Sequence, residues 1–328
     1  MNMNKMNKLI VITAFVWLWG LAACSDSYPT PQPILAKEVC LESAIEASTT
    51  RGVIGAGYEE VLEVSFARQD ESMVSTGTYG GWAVHKAVRQ GGRGNRPIVF
   101  AESQLYPEDG RHIRLHGYYP VEGEPETVAE TGKVTFRIDG TTDIMATGML
   151  TASGFQPVLS CTFRHLLTQV RLACYSDRGD AWGTIQTIEA ADVHTRQELD
   201  LAAETPRLAD ISVAEDIKNL PVQDIAGRLI PQVAADGSPP EAQGYLLLPA
   251  FPNDGTADHP LHLRITTTKD GNGNPKETLS DVFIRIEGGF QIGKSHIVSL
   301  FFTGAGNIQT THVSVEAWTE YEQGEMPI

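Results

Sequence analysis

Gly288, Gly293, Lys294 and Ser295 spell G-x-x-x-x-G-K-S, the pattern whose backbone amides cradle nucleotide phosphates. That chemistry needs a helix opening at the lysine, because its first N–H groups hold the phosphate. Here the chain runs on as HIVSLFF, with Ile297, Ser299 and Phe301 on one face and Val298, Leu300 and Phe302 on the other, and FIRIEGG before it ends a strand. The expectation is therefore strand–turn–strand with Lys294 at the surface. Asp270, Asn272 and Asn274 have the spacing of a calcium loop's first ligands, but Pro275 stands where that loop needs glycine and Asp281 replaces its glutamate. A hairpin turn is the better account. His259 and His262 could ligate a metal, yet the strand pattern turns His262 to solvent, and His165 reads as a structural histidine. No serine sits in a nucleophile elbow and no aromatic-flanked carboxylate pair is visible. The chain is expected to hold no catalytic residue, metal or cofactor and not to be an enzyme.

Two other sites concern chemistry done to the chain. Lys5 and Lys8 precede an apolar run, Leu9 to Leu21, too short for a membrane span of about 20 residues. Leu21-Ala22-Ala23-Cys24 follows, the small-residue approach to a cysteine that a lipoprotein signal peptidase requires. Residues 1–23 are read as a lipoprotein signal peptide and Cys24 as the lipidation site, with enough acyl chain for stable anchoring. Arg51, in the polar stretch ASTTRGVIG just before the first strong strand, is a candidate for an Arg-specific cut that leaves Gly52 as a new terminus.

The 25 basic residues against 41 acidic ones give a net charge of −16, which argues against nucleic acid or anionic head groups as partners. Cys40, Cys161 and Cys174 remain beside Cys24; one pair could form a disulfide, Cys161 and Cys174 being nearer in sequence. No C-x-x-C spacing points to zinc or redox work.

The elements behind these residues show period-two alternation: Leu62, Val64, Phe66; Val134, Phe136, Ile138; Leu159, Cys161, Phe163; Leu261, Leu263, Ile265; Val282, Ile284, Ile286; Val313, Val315, Ala317. QGGRGN at 90–95, YPEDG at 106–110, FPNDG at 251–255 and DGNGNP at 270–275 supply turns, the last closing a hairpin. Weak helical periodicity is confined to stretches such as 38–47 and 196–204. The class is all-β, most simply sandwiches. The division expected is a tether and propeptide strand at 24–51, an N-terminal β-sandwich at 52–150 and a C-terminal one at 151–328.

The motifs VSFARQDES, GYYP at 117–120, TDIMATG at 142–148, LSCTFRHLLTQVRL, YLLLPAFP at 245–252, GGFQIGKSHIVSLFF and VSVEAW occur in that order behind the lipoprotein signal. Together they resemble the fimbrillin family of Bacteroides-type bacteria, with Phe163, His165, Gly293 to Leu300 and Trp318 on its pattern. The resemblance implies two tandem transthyretin-like β-sandwich domains. It implies a structural subunit or accessory adhesin of a cell-surface fimbria, an outer-membrane lipoprotein whose partners are other fimbrial subunits and a host or bacterial surface ligand. It further implies strand exchange: a cut at Arg51–Gly52 removes the first strand, and a C-terminal donor using Val313, Val315 and Trp318 fills the groove. The polar tail TEYEQGEMPI is a departure that weakens this donor. The alternative is a lipid-anchored surface glycan-binding protein with Trp82, Tyr118 and Tyr119 as its stacking platform, and a secreted hydrolase ranks third.

Overall fold

Alternating buried and exposed side chains set the strands. The computed structural model describes residues 37–46, 58–122, 125–252 and 254–317. In chain order the strands are β1 (Leu41–Ile45), β2 (Leu62–Asp70), β3 (Ala83–Arg89), β4 (Arg96–Phe100), β5 (Ile113–Tyr119), β6 (Lys133–Arg137), β7 (Met145–Ala152), β8 (Ser160–His165) and β9 (Thr168–Ser176). They continue as β10 (Ile185–His194), β11 (Arg196–Asp200), β12 (Leu208–Asp210), β13 (Ile217–Pro221), β14 (Gly244–Leu248), β15 (Leu261–Thr267), β16 (Thr278–Ile284), β17 (Lys294–Phe302) and β18 (Ile308–Ala317). Among the described residues helix is limited to short pieces, Pro125–Thr131, Gly179–Trp182 and a 3-10 turn at Ala214–Asp216, and the class is all-β as expected.

Seven strands close into a barrel in the order β1-β4-β3-β2-β5-β7-β8, with β8 returning to β1. Its interior is filled by Leu41, Leu62, Val64, Phe66, Ile98, Ile113, Leu115 and Phe163. Phe66 anchors this layer edge-on to Phe100 and Phe163, with ring centroids 5.3 and 6.1 Å away. Three further sheets, β13-β10-β15-β16, β12-β11-β6 and β14-β9-β17-β18, enclose a second apolar cluster around Trp182, Ile265, Leu263, Val298 and Phe302. Tyr118 and Ala146 on the barrel strands join that second cluster, which is why β5 is buried almost throughout.

The stretches 38–47 and 196–204 carry strands β1 and β11 where helical periodicity was read. In the first, Leu41, Ala44 and Ile45 fall at i, i+3 and i+4 and mimic a helix face, but the burial row is Leu41, Ser43, Ile45, with period two. Residue 150 lies inside β7, which pairs with β5 and β8 in the barrel, while β6 pairs with β11 among the later strands. The chain leaves the barrel between His165 and Thr168. Cys40, Cys161 and Cys174, whose pairing the sequence left open, are all free thiols; Cys161 lies in the barrel core and Cys174 in the second cluster. Burial pushes both of those thiols up to about 12, so they stay protonated.

Candidate functional site

β1 is the one barrel strand, among the described residues, that precedes position 51, and the barrel closes through it. Val39, Leu41, Ser43 and Ile45 point inward and are all but fully buried, while Cys40, Glu42 and Glu46 face out. The strand runs antiparallel to β4, with Leu41 opposite Ile98 and Ser43 opposite Arg96. On its other side it runs parallel to β8, with Ser43 beside Cys161 and Ile45 beside Phe163. Main-chain bonds extend the seat past both ends: Val39 N–H donates to Gln104 O at 2.7 Å, Glu42 N–H to Leu159 O at 2.9 Å and Glu46 N–H to Phe163 O at 2.8 Å. A groove lined by Val39, Leu41, Ile98, Phe100 and Leu159 runs alongside.

Two charged features flank this seat. At the β8 end, His165 Nδ1 meets Asp143 Oδ2 at 2.6 Å with both side chains buried. Burial alone pulls the imidazole down, but the Asp143 carboxylate, helped by Glu46, outweighs it and holds His165 above its ordinary value. At the other feature, the buried Arg89 donates from Nη1 to Gln90 O (3.2 Å) and from Nη2 to Gly92 O (3.1 Å) and Gly94 O (2.9 Å). Burial and the nearby Arg96 charge both lower its pKa, which for a guanidinium still leaves it charged. Arg89 thereby staples the glycine-rich turn at 90–95 to the barrel.

Of the residues singled out from sequence, Cys24, Arg51, Gly52 and Trp318 lie outside the described residues. Val313 and Val315 are on β18, opposite Val298 and His296 of β17. They do not form the buried row expected of them: Val313 is half-buried and Val315 is 41 % exposed, because β18 is an edge strand with β17 as its sole sheet neighbour among the described residues. Lys294 opens β17 directly after a turn at Gly293, so no helix stands behind the phosphate-loop pattern. The Asp270 carboxylate accepts from the Asn272 and Asn274 amides and from Asn274 Nδ2 at 2.8 to 3.2 Å, a hairpin turn closing on itself. His262 sits on the outer face of β15, 2.8 Å from Asp281 and stacked on Phe283. No trio of His, Cys, Asp or Glu among the described residues is arranged to hold a metal. Trp82 and Tyr118 are buried, so with Tyr119 half-buried they offer no exposed stacking platform. Sequence reasoning placed a propeptide strand within 24–51 but not its residues, reading helical periodicity at 38–47, although the alternate residues Val39, Leu41 and Ile45 carried the strand signal.

Comparison with known proteins follows the same lines. A family profile described as fimbrillin-like matches residues 65–318. Similar solved structures include proteins provisionally described as cell adhesion proteins from Bacteroides uniformis, Bacteroides ovatus and Parabacteroides distasonis. The first is 15 % identical, with TM-score 0.53, covering 86 % of this chain and 98 % of that one. The second is 14 % identical, with TM-score 0.55 and coverages of 88 % and 99 %. The third is 12 % identical, with TM-score 0.52 and the same coverages of 88 % and 99 %. At this identity they establish a shared fold. No curated relative matches the sequence.

Proposed function

This chain belongs to the fimbrillin-like family, and on that footing we propose that it is a structural subunit or accessory adhesin of a cell-surface fimbria that assembles by strand exchange. In this reading the precursor is held at the outer membrane by a lipid on Cys24, and an Arg-specific cut between Arg51 and Gly52 frees the segment that contains β1. One observation carries the reading: β1 ends at Ile45, ahead of the cut, and is hydrogen-bonded on both sides as the closing strand of the barrel. Its departure would leave the β4 and β8 edges unpaired, with the places of Leu41 and Ile45 open beside Ile98 and Phe163. An extended segment of another subunit would meet main-chain partners along both edges and apolar pockets at alternate positions. The donor in this scheme is the C-terminal stretch with Val313, Val315 and Trp318, whose described part is an exposed edge strand. The two halves are read as transthyretin-like domains, the first with its strands closed into the barrel, and the crossing after β8 is a better dividing point for them than residue 150. The role is structural rather than catalytic. A glycan-binding role loses its support with the burial of Trp82 and Tyr118.

Limited digestion with an Arg-specific protease tests this. Cleavage is expected first at Arg51, ahead of the strand arginines Arg137 and Arg264, whose backbones are held in sheet ladders. The cut protein should then form linear, heat-resistant oligomers on a gel, and Arg51→Ala protein should stay monomeric. Equal oligomer formation by the variant would separate assembly from this cut.

A further inference from the structure

Ser43 is the odd member of the inward row of β1. It is 0 % exposed, yet its hydroxyl meets no hydrogen-bonding partner among the described residues. Its register neighbours are Arg96 on β4 and Cys161 on β8. Arg89 completes this layer from β3: it pairs with Ile98 and Leu62, both inward residues, and interacts electrostatically with Arg96 and Cys161. The two guanidiniums converge on one residue. Arg89 Nη2 donates to the Gly92 carbonyl, and the Arg96 guanidinium lies so close to Gly92 that a Cβ there would sit 2.6 Å from its Nε.

The charges in this layer are unbalanced. Stapling the 90–95 turn occupies the Nη groups of Arg89 but leaves its Nε buried without a partner, and the Nε of Arg96 is in the same condition. Neither side chain makes an ion pair with a described carboxylate. Cys161 supplies no negative charge, since burial keeps its thiol protonated. A buried cation without a counter-charge is destabilising, and a carboxylate is the side-chain group that both accepts from guanidinium Nε–H and neutralises it. An apolar residue in place of Ser43 would remove an unsatisfied hydroxyl and leave both Nε–H groups and both charges as they are.

We propose that Arg89 and Arg96 form a carboxylate-recognising subsite beneath position 43 of the β1 seat, so that the strand which replaces β1 carries Asp or Glu there, flanked two residues either way by apolar side chains. The identity of the partner strand rests on the strand-exchange reading above; the subsite itself does not. β1 is then a deliberately imperfect occupant, apolar at Leu41 and Ile45 and mismatched between them, which a strand of the right chemistry can outcompete.

Two measurements separate the two layers of the claim. In the full chain, Ser43→Asp should melt at a higher temperature than the isosteric Ser43→Asn, and the difference should vanish when Arg96→Gln is added. A Ser43→Asp protein that melts below Ser43→Asn, or a difference that persists with Arg96→Gln, overturns the subsite. In the protease-cut chain, labelled peptides of residues 37–46 bearing Ser, Asn, Val or Asp at position 43 are titrated by fluorescence anisotropy. The Asp peptide should bind about tenfold tighter than the Asn and Val peptides, the gain of one charge-assisted contact in a dry site. Equal or weaker binding of the Asp peptide overturns the acidic partner, and binding of no peptide at all overturns strand replacement while the melting series still judges the arginine pair.

Discussion

β1 and β18 are the first and last described strands of the chain, and they are held in opposite ways. β1 has five residues, two sheet neighbours and an inward row that water does not reach. β18 has ten residues but one sheet neighbour, with an irregular register opposite Ser299 and Leu300 and most of its described side chains open to solvent. Length is therefore no measure of how firmly a strand is kept. A two-sided strand cannot leave without exposing two ladders and a row of pockets, so its release calls for a covalent event such as a cut. An edge strand can peel by exchanging one ladder for water or for another chain. In a strand-exchange subunit the first suits a plug and the second suits a donor.

The largest effect is expected at the buried pair that braces the β8 side of the β1 seat. Asp143→Asn leaves His165 buried without its counter-charge, and loss of one partner from a buried pair costs about 3–5 kcal/mol. The pair also carries a pH signature. His165 is raised above its ordinary value of about 6.5. Its contribution to stability is thus fully present below that ordinary value and is lost as pH rises through the raised one. Urea midpoints of the parent protein should fall across that window, and those of Asp143→Asn should be flat there. An equal pH slope in the variant would show that the pair is not what couples protonation to folding.

A second effect tests β1 itself. Leu41→Ala empties a position that faces Ile98 inside the barrel, and buried Leu→Ala changes cost about 2–5 kcal/mol. The expected readout is a lower urea midpoint together with easier release of the N-terminal segment after Arg-specific cleavage. A midpoint within error of the parent would mean that β1 contributes nothing to closing the barrel.

How much of this was legible in the sequence depends on whether a strand has one buried face or answers to several constraints. β15 and the start of β2 were plain, because Leu261, Leu263, Ile265 and Leu62, Val64, Phe66 alternate with polar residues and each row meets a single core. β1 was hidden because outward Cys40 and Ala44 are themselves apolar or small, and Ser43 breaks the inward row at the very position that matters. Arg89 was invisible for a related reason. Nothing local distinguishes an arginine that enters a barrel from one on its surface; the register of four strands brings it beside Arg96 and Cys161. The swap by which β6 joins β11 is likewise a long-range pairing that no window of sequence contains. Lys294, by contrast, was readable as a turn residue because the strand pattern of HIVSLFF follows it at once.

The smallest expected effect completes the comparison on the β18 side. Val315 is 41 % exposed on a strand whose far edge has no sheet partner among the described residues, so Val315→Ala removes little buried area. Exposed substitutions of this kind stay within about 0.5 kcal/mol, so the urea midpoint should barely move. The backbone makes the sharper statement. In an edge strand, alternate N–H groups point away from the neighbouring strand, whereas both edges of β1 are occupied by β4 and β8. Hydrogen exchange on the full chain should therefore show rapid exchange for alternate amides between Ile308 and Ala317 and uniform protection between Leu41 and Ala44. Because the unprotected set alternates, a simple fraying end, in which protection decays smoothly toward Ala317, is distinguishable from an edge. Uniform protection along β18 equal to that of β1 would mean that its open side is covered in solution, and the contrast between a strand that must be cut loose and one that can peel would fail.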